Sequence, residues 1–333
     1  MTALLSLTDM EVRFGAAESM ASAVDSVSLE VKSGEIFGIV GESGCGKSTL
    51  ANAVMGLLPG AAHVDGSAKL QNREVLGLDE KSLRALRGDE MSMIFQDASA
   101  SLDPTWPVGD QIAETIRAHR KVSRREAKQQ AIDLMTEVGI PDAASRYGDA
   151  PHRLSGGMRQ RIVIAAALAN QPKLLIADEP TTALDVTIQA QVLQLIRRLR
   201  DDHGTTVVLI THDLGVVAEI CDRVGVMYAG QLVEVADTAD LFAAPRHPYT
   251  RALLAASPGV PTESRRLATI PGQVPAPSDQ IPGCRFQERC PRRLETCMTT
   301  PHREPVFPNE VACWNPEPLP AGMASPTDLL GEK

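Results

Sequence analysis

Three short apolar runs, each bounded by polar or turn residues, dominate the hydrophobic pattern of the chain. They are EIFGIV ending at Val40, KLLIAD ending at Asp178 and TVVLIT ending at Thr211. Runs that are apolar at nearly every position are typical of strands buried on both faces of a parallel sheet, with helices crossing between them. The stretch TIQAQVLQLIRRLR has the spacing of such a helix, with apolar residues at Ile188, Val192, Leu195, Ile196 and Leu199. The pattern therefore predicts an α/β fold.

The composition changes after about residue 255. Fourteen of the 23 prolines and four of the six cysteines lie from Pro258 onward, in a stretch with few apolar residues. Proline interrupts long helices, and a segment with little apolar area needs a staple or a partner surface. We therefore predict two units: residues 1–255 and a small C-terminal domain, rich in cysteine and proline, over residues 256–333.

Length and charge narrow the classes of function. The 333 residues, 43% of them apolar, are enough for a large core and one small further domain. The net charge of −9 argues against nucleic acid as a partner. The chain does not begin like a signal peptide, and its longest apolar run, Ile162 to Ala169, is far shorter than the roughly 20 residues that cross a bilayer. A cytoplasmic protein with at most a peripheral membrane role is expected.

A glycine-rich stretch directly follows the first apolar run. GESGCGKST, residues 41–49, fits G-x-x-x-x-G-K-[ST] and precedes the helix-like LANAVMGLL. This context predicts a P-loop rather than an ordinary glycine-rich turn. Backbone N–H groups around Gly41, Gly44 and Gly46 would cradle phosphate, with Lys47 on the β- and γ-phosphates and Ser48 on Mg²⁺. The other cradle positions are Ser43, Cys45 and Thr49. Cys45 is interpreted as a tolerated small residue, with redox sensing as the alternative.

The second apolar run ends in two carboxylates, within LLIADEP, residues 174–180. An acidic pair at the end of a strand is usually just solvated, but beside a P-loop it predicts a Walker B element. Asp178 would then bind Mg²⁺ through water, and Glu179 would polarise the attacking water as a general base.

The stretch LSGGMRQR, residues 154–161, separates this chain from other nucleotide enzymes that share the two preceding motifs. Taken alone, Ser155 is explained as the N-cap of a helix. Together with the P-loop and the Walker B element, however, the stretch makes the chain resemble the ABC ATPase family. The resemblance implies that Ser155, Gly156 and Gly157 touch the γ-phosphate of ATP held by an opposite subunit. Met158 stands where many members have glutamine.

The other positions that the family uses match in order. Phe14 in VRFG resembles the aromatic residue that stacks on adenine, with a core aromatic as the equal alternative. Gln96 in MIFQD resembles the Q-loop glutamine, which reaches Mg²⁺ and the attacking water. Asp185 in TTALDV matches the D-loop, and His212 in LITHD matches the switch histidine that contacts the γ-phosphate. The resemblance implies the catalytic residues Glu179, His212 and Gln96 and the Mg²⁺ ligands Ser48, Gln96 and Asp178.

The resemblance extends to one branch of importers. QDASASLDPTWPVGDQI, RHPYTRALL at residues 246–254 and the tail are similar to the ATPase subunits of oligopeptide and dipeptide importers. This implies a RecA-like P-loop core with an antiparallel β subdomain and a helical subdomain over about residues 97–165, at the cytoplasmic face of the membrane. The implied partners are a second ATPase subunit, identical or different, two transmembrane permease subunits and, indirectly, an extracytoplasmic substrate-binding protein.

Other classes of function fit the sequence less well. ABC ATPases of translation typically carry two cassettes in one chain, and those of DNA repair insert long coiled coil, whereas only 58 residues separate Gln96 from Ser155. A small-molecule kinase built on a P-loop would lack the signature and the D-loop. Within the importer branch, peptides are the expected cargo. Nickel and oligosaccharides are alternatives, because the ATPase does not touch the cargo and its sequence says little about it.

Four cysteines cluster in the tail: Cys284, Cys290, Cys297 and Cys313. Disulfides are not expected in a reducing cytoplasm, whereas zinc or a [4Fe–4S] cluster accepts four thiolates and would staple the segment. The spacing lacks the C-x-x-C knuckles usual for structural zinc, and some peptide-importer ATPases carry a [4Fe–4S] cluster in this tail. The cluster is therefore the expected cofactor beside ATP and Mg²⁺, with zinc and unliganded buried thiols as alternatives.

Overall fold

The strands form two sheets, and helices pack against the larger one. The computed structural model describes residues 2–15, 20–182, 184–257, 269–279, 281–320 and 323. In chain order, its strands are β1 (Ala3–Phe14), β2 (Ala21–Lys32), β3 (Ile36–Val40), β4 (Ala62–Leu70), β5 (Arg73–Glu74), β6 (Met91–Ile94), β7 (Leu174–Asp178), β8 (Thr206–Ile210), β9 (Arg223–Tyr228), β10 (Gln231–Asp237), β11 (Glu304–Val306) and β12 (Asn309–Val311). Its α-helices are α1 (Lys47–Val54), α2 (Glu80–Leu86), α3 (Ala98–Ser101), α4 (Val108–His119), α5 (Arg124–Glu137), α6 (Ala143–Arg146), α7 (Gly156–Leu168), α8 (Val186–His203), α9 (Leu214–Ile220), α10 (Thr238–Ala243) and α11 (Pro248–Ala256). Short 3₁₀ turns cover Pro151–Arg153, Gln287–Arg289 and Glu295–Met298.

The larger sheet has the strand order β11-β12-β10-β9-β3-β8-β7-β6. Its five strands from β9 to β6 are parallel, and β10, β12 and β11 continue it in antiparallel pairing. Every residue of β3, β7 and β8 is buried, which explains why these strands are apolar almost throughout. The predicted α/β fold and its three parallel strands are confirmed.

The smaller sheet is antiparallel, with the order β2-β1-β4-β5. Its buried face shares a core with β3 and α1, and Phe37 and Leu50 belong to that core. At one end of this sheet the last residue of β1, Phe14, pairs with the first residue of β2, Ala21. The pairing brings Phe14 to the point where the two sheets approach the helix α1.

The helices include the predicted crossover. α8 begins after the N-cap Asp185 and ends before the C-cap Gly204. It buries Val192, Leu195, Ile196 and Leu199, while Ile188 is half-buried. Helices α3 to α7 lie between β6 and β7 along the chain, in the region of the predicted helical subdomain, whose bounds stay a prediction. Throughout the described part of the chain, helices are too short or too polar to cross a membrane.

The C-terminal segment is packed onto the rest of the chain. β12 pairs with β10, and the buried ring of Phe286 lies 5.2 Å from that of Tyr228 and 5.4 Å from that of Tyr249. Two strands and a central aromatic residue of the core thus come from a segment that has few apolar residues of its own. The predicted domain over residues 256–333 lies partly outside the described residues, and its boundary stays a prediction.

A buried polar centre fixes this junction. The Glu234 carboxylate accepts hydrogen bonds from the backbone N–H groups of Arg246 and His247 at 2.8 Å and from Asn309 Nδ2 at 2.6 Å. The His247 ring is 1% exposed, and its Nδ1 accepts a hydrogen bond from Tyr249 N at the start of α11. Burial raises the pKa of Glu234 and lowers the pKa of His247 from 6.5 to about 3. Burial therefore favours the uncharged form of both side chains in the folded protein.

We predict that His247 makes the folded state less stable below about pH 6.5. There the unfolded chain binds a proton at this residue and the folded chain does not, so the free energy of unfolding falls as pH falls, by at most about 1.4 kcal/mol per pH unit. His247→Asn keeps an N-cap acceptor but does not titrate. Urea unfolding of both proteins between about pH 7 and about pH 5 should show a shallower pH dependence for the variant.

The raised pKa of Glu234 acts in the opposite direction, because its folded form binds the extra proton. Glu234 is present in both wild type and His247→Asn, so its contribution to the pH dependence cancels in the comparison. Equal pH dependence in wild type and variant would contradict the prediction.

Candidate active site

One cavity collects most of the residues predicted to bind nucleotide. Its volume is about 500 Å³, which is within the range of small-molecule sites. The residues that line it are Phe14, Ala21, Ala23, Ser43, Gly44, Cys45, Gly46, Lys47, Ser48, Thr49, Gln96, Glu179, Pro277 and Ser278. The aromatic residue, the glycine-rich loop and the Q-loop glutamine, which are far apart along the chain, thus face one space.

The glycine-rich loop turns tightly between β3 and α1, which begins at Lys47. Gly46, the N-cap of α1, has a φ of 103°, and a Cβ atom there would lie 2.3 Å from the carbonyl oxygen of Ala23. A Cβ atom on Gly41 would lie 2.2 Å from the carbonyl oxygen of Met227. Glycine is needed at both positions because the loop backbone presses against neighbouring strands. The resulting helix N-terminus faces the cavity and favours an anion.

Lys47 is held inside this loop. It is 6% exposed, and its Nζ donates hydrogen bonds to the carbonyl oxygens of Gly41 at 2.8 Å and Glu42 at 3.0 Å. The Sγ atom of Cys45 lies 3.6 Å from the same Nζ. Burial raises the pKa of Cys45 despite the nearby ammonium group, so the residue is a poorly reactive thiol, in keeping with its interpretation as a small packing residue.

Asp178, the last residue of β7, is 4% exposed beside the Ser48 hydroxyl, which hydrogen-bonds its carboxylate. Its Oδ1 atom is buried and has no hydrogen-bond partner within the described residues. Burial raises the pKa of Asp178, and the neighbouring Glu179 carboxylate adds to this effect. An unsatisfied carboxylate oxygen beside a hydroxyl suits a hard cation such as Mg²⁺, which prefers oxygen ligands. These residues therefore fit the predicted Mg²⁺ site.

Glu179 is surrounded by polar partners. Its Oε2 accepts hydrogen bonds from Gln96 Nε2 at 3.0 Å and Thr182 Oγ1 at 2.7 Å, and its Oε1 lies 3.1 Å from His212 Nδ1. Its φ of 48° lies in the left-handed region, which is uncommon for a residue with a side chain. Burial acts to raise the pKa of Glu179, but hydrogen bonds from Thr182 and His212 outweigh it, and the pKa is lowered. An ionised carboxylate at the cavity wall can accept a proton from water or orient it.

The signature and D-loop residues lie apart from this cavity. Ser155 caps α7, and its hydroxyl accepts a hydrogen bond from Met158 N at 3.3 Å, as the N-cap interpretation expects. Asp185 caps α8 in the same way, with Ile188 N at 2.9 Å. Neither residue lines the cavity, nor do Gly156 and Gly157. Within this one chain, these four residues do not complete the site.

Four residues that line the cavity had not been predicted. Ala21 and Ala23 are on β2, and Pro277 and Ser278 belong to the C-terminal segment. The backbone N–H of Ser22 donates a hydrogen bond to the Pro277 carbonyl oxygen at 2.9 Å, which holds the segment beside Phe14 and Ala21. These residues belong to no local motif, so only the folded chain reveals them. Thr182, which contacts Glu179, was also missed.

The four cysteines of the tail are free thiols, and Cys297 is buried while the other three are half-buried. Burial raises the pKa of Cys284 to about 11 and that of Cys313 to about 12, and in each case the neighbouring cysteines add to the effect. Backbone N–H groups of Leu294 and Asn315 lie 3.4 Å from the sulfur atoms of Cys297 and Cys313. The described residues contain no group of three or more His, Cys, Asp or Glu side chains arranged to hold a metal ion.

Comparison with known families gives two matches along the chain. Residues 24–182 match the family described as ABC transporter, and residues 233–297 match the family described as oligopeptide/dipeptide transporter, C-terminal region. The second match spans β10, α10, α11 and three of the four clustered cysteines.

Individual proteins are similar over nearly the whole chain. A probable peptide ABC transporter ATP-binding protein of Sinorhizobium fredii is 50% identical over 93% of this chain and 94% of its own length. The oligopeptide transport ATP-binding protein OppD of Salmonella typhimurium is 45% identical over 94% of each chain. Among solved structures, the ATP-binding cassette MJ0796, a dimer bound to ADP and Pi, has a TM-score of 0.64 at 28% identity, covering 70% of this chain and 98% of that one.

We predict that Lys47→Ala weakens ATP binding by about tenfold or more. The substitution removes a buried cation from the loop, and with it a charge-assisted hydrogen bond to phosphate. Titration with a fluorescent ATP analogue measures the dissociation constant. Lys81→Ala, which removes an exposed lysine outside the cavity, is the matched control. Equal affinity of Lys47→Ala and wild type would contradict the assignment of the cavity.

Proposed function

This chain belongs to the ATP-binding subunits of peptide ABC transporters, and we propose that it hydrolyses ATP to power the uptake of di- or oligopeptides. The observation that carries the proposal is the meeting of Lys47, Gln96 and Glu179 at one cavity, where Asp178 contacts Ser48 and His212 contacts Glu179. The relatives named for dipeptide or oligopeptide transport favour peptides as cargo over nickel or oligosaccharides.

Each residue of the site has a role that follows from its contacts. Phe14 offers its ring to adenine at the rim of the cavity, and the loop N–H groups with Lys47 bind the phosphates. Asp178, Ser48 and Gln96 would hold Mg²⁺, which would neutralise charge on the phosphates. Glu179 orients water for attack on the γ-phosphate.

Three contacts prepare Glu179 for this role. Thr182 and Gln96 fix one carboxylate oxygen, while His212 pairs with the other. Against the effect of burial, the hydrogen bonds from Thr182 and His212 lower the pKa of Glu179 and so favour the ionised carboxylate. The His212 side chain is 63% exposed, so it can turn toward a γ-phosphate without leaving a buried site. We propose that His212 senses the γ-phosphate in this way.

A second cassette would complete the site. Ser155, Gly156, Gly157 and Asp185 are outside the cavity of their own chain, and Gly156 has open space where a side chain would be. The similar cassette MJ0796 is described as a dimer, which supports closure of two cassettes over two nucleotides. The partner is the same chain or a homologous ATPase subunit.

An exposed apolar groove beside the Q-loop is proposed to contact the membrane subunits. Phe95 is 42% exposed and Trp106 is 38% exposed, and both line a cavity of about 430 Å³. The rest of the lining is mixed, with apolar residues such as Leu102 beside polar ones such as Glu114. Large exposed aromatic residues in one groove are typical of an interaction surface. We propose that one of the two permease subunits binds this groove at the cytoplasmic face and that the other binds the second ATPase subunit. A substrate-binding protein would act indirectly, and no nucleic acid is involved.

We also propose that the four tail cysteines bind a [4Fe–4S] cluster, with zinc as the alternative. Each of the other three thiols is near enough to raise the pKa of Cys313, and backbone N–H groups point at two of the sulfur atoms, as they do around bound clusters. Ligation would have to draw the sulfur atoms closer together, because the described residues do not hold three or more of them in metal-ligating positions. The cluster would tie together a segment that lacks its own core. Its role would be structural, because no redox step belongs to ATP hydrolysis.

We predict that Glu179→Gln still binds ATP but hydrolyses it more slowly than wild type, by a factor on the order of 10² or more. The amide keeps the shape of the side chain and cannot act as a base. Steady-state phosphate release and light scattering with ATP measure turnover and dimerisation, and the variant should accumulate as an ATP-bound dimer. Glu137→Gln, which changes an exposed carboxylate, is the control. Near-normal hydrolysis by Glu179→Gln would contradict the role of Glu179.

We predict that protein purified without oxygen is brown, absorbs broadly near about 400 nm and contains iron and sulfide. Cys290→Ser should lose the absorbance and the iron, because it removes one of the proposed ligands, whereas Cys221→Ala, outside the group, should keep both. Colourless protein with one equivalent of zinc would replace the cluster by a zinc site. Metal-free protein with four titratable tail thiols would exclude both.

A further inference from the structure

We infer that Arg289 is a positioning residue for the phosphate-binding loop and acts on it through Glu42. The inference rests on the proposed function, since it concerns how the cavity binds ATP. Glu42 is the second residue of the glycine-rich loop, and Arg289 directly precedes Cys290 in the tail. Contact between them therefore joins the tail to the nucleotide site.

The two side chains form a multiple ion pair. Arg289 Nη1 lies 3.2 Å from both Oε1 and Oε2 of Glu42, and Nη2 lies 3.2 Å from Oε2. The Arg289 side chain is 7% exposed and that of Glu42 is 26% exposed. Water screens such a pair less than it screens a surface pair, so the interaction depends on its geometry.

Arg289 is anchored independently of Glu42. Its Nε donates a hydrogen bond to the Pro271 carbonyl oxygen at 2.8 Å, and Nη1 donates one to Tyr228 Oη at 3.2 Å. The guanidinium carbon lies 5.7 Å from the centre of the Tyr228 ring and 5.9 Å from that of Phe286, within the range of cation–π contacts. These contacts hold the guanidinium group in place independently of its contact with Glu42.

Glu42 connects this anchor to Lys47. Its backbone N–H donates a hydrogen bond to Tyr249 Oη at 3.0 Å, and its carbonyl oxygen accepts one from Lys47 Nζ at 3.0 Å. The same carbonyl oxygen also accepts from Cys45 N at 3.3 Å. The side chain, the backbone N–H and the carbonyl oxygen of Glu42 therefore each have a fixed partner, and the carbonyl oxygen holds Lys47, the proposed phosphate-binding lysine.

The charge of Glu42 sets the expected direction of the effect. Without Arg289, its carboxylate would stand unneutralised in the phosphate-binding loop, where it would repel the triphosphate and compete for Lys47. Loss of Arg289 should therefore weaken ATP binding. Because binding linkage is reciprocal, any change in the tail that moves Arg289 would change ATP affinity, and ATP would in turn stabilise this conformation of the tail.

The test is a double-mutant cycle on the full chain, read out as the dissociation constant of a fluorescent ATP analogue. Arg289→Gln is expected to weaken binding by about tenfold, the scale of one charged interaction. In a Glu42→Gln background the same substitution should change the constant by less than about twofold, because the charge to be neutralised is gone. Arg293→Gln, an exposed arginine four residues along the same segment, is the control and should bind as wild type does.

Other outcomes would overturn the inference. If Arg289 had only a structural role, Arg289→Gln would lower the unfolding temperature. Its fold-loss of ATP affinity would then be the same in the wild-type and Glu42→Gln backgrounds, so that the two single effects would multiply in the double variant. If Arg289→Gln does not fold, Arg289→Lys replaces it, because lysine keeps the positive charge but cannot make the multiple contact with Glu42. Arg289→Lys should weaken ATP binding in the wild-type background and have little effect on ATP binding in the Glu42→Gln background. If Lys47→Ala binds like wild type in the same assay, the proposed function fails; if only Lys47→Ala is weakened, this inference fails alone.

Discussion

Parallel pairing of β3, β8 and β7 is the constraint on which the site depends. Because the three strands run in one direction, their carboxyl ends meet at one edge of the sheet, where ligands of open α/β sheets bind. Gly41, Glu179 and His212 each follow one of these strands within two residues. The pairing continues beyond the strands, since Glu179 N donates to the Ile210 carbonyl oxygen at 2.9 Å. Loop, carboxylate and histidine are therefore set in fixed register by backbone hydrogen bonds.

A triphosphate is an unusual ligand for a chain with a net charge of −9. The site must supply its own positive potential, and the α1 N-terminus and Lys47 do so. Its acidic residues are then each balanced locally: Glu42 by Arg289 and Glu179 by His212. Among the acidic residues of the described part of the chain, Asp178 is the one that retains a buried oxygen without a hydrogen-bond partner, and a cation would be expected there. Local pairing, not overall charge, thus determines what the cavity accepts.

Features encoded by contiguous residues could be predicted from the sequence, and those that depend on distant pairing could not. The glycine-rich loop and the Asp178–Glu179 pair carry their own strand context, so each could be identified from the pattern and assigned to one nucleotide site. The contact of Glu42 with Arg289 joins residues 247 positions apart, and nothing in either local sequence indicates it. For the same reason the prediction described the tail as a separate unit and did not anticipate that Pro277 and Ser278 line the cavity.

The tail contacts both sheets, and this explains how it can affect a site that lies between them. β12 extends the larger sheet at β10, while three contacts reach β2 of the smaller one: Pro277 O with Ser22 N at 2.9 Å, Arg285 Nη2 with Asp25 Oδ2 at 2.7 Å and Arg303 Nη2 with Ser28 O at 2.8 Å. Phe14 comes from the smaller sheet, and Lys47 follows a strand of the larger one. The distance between Phe14 and the glycine-rich loop across the cavity therefore depends on how the two sheets are held together. A segment too poor in apolar residues to fold alone is therefore ordered by its contacts with both sheets and bridges them beside the cavity.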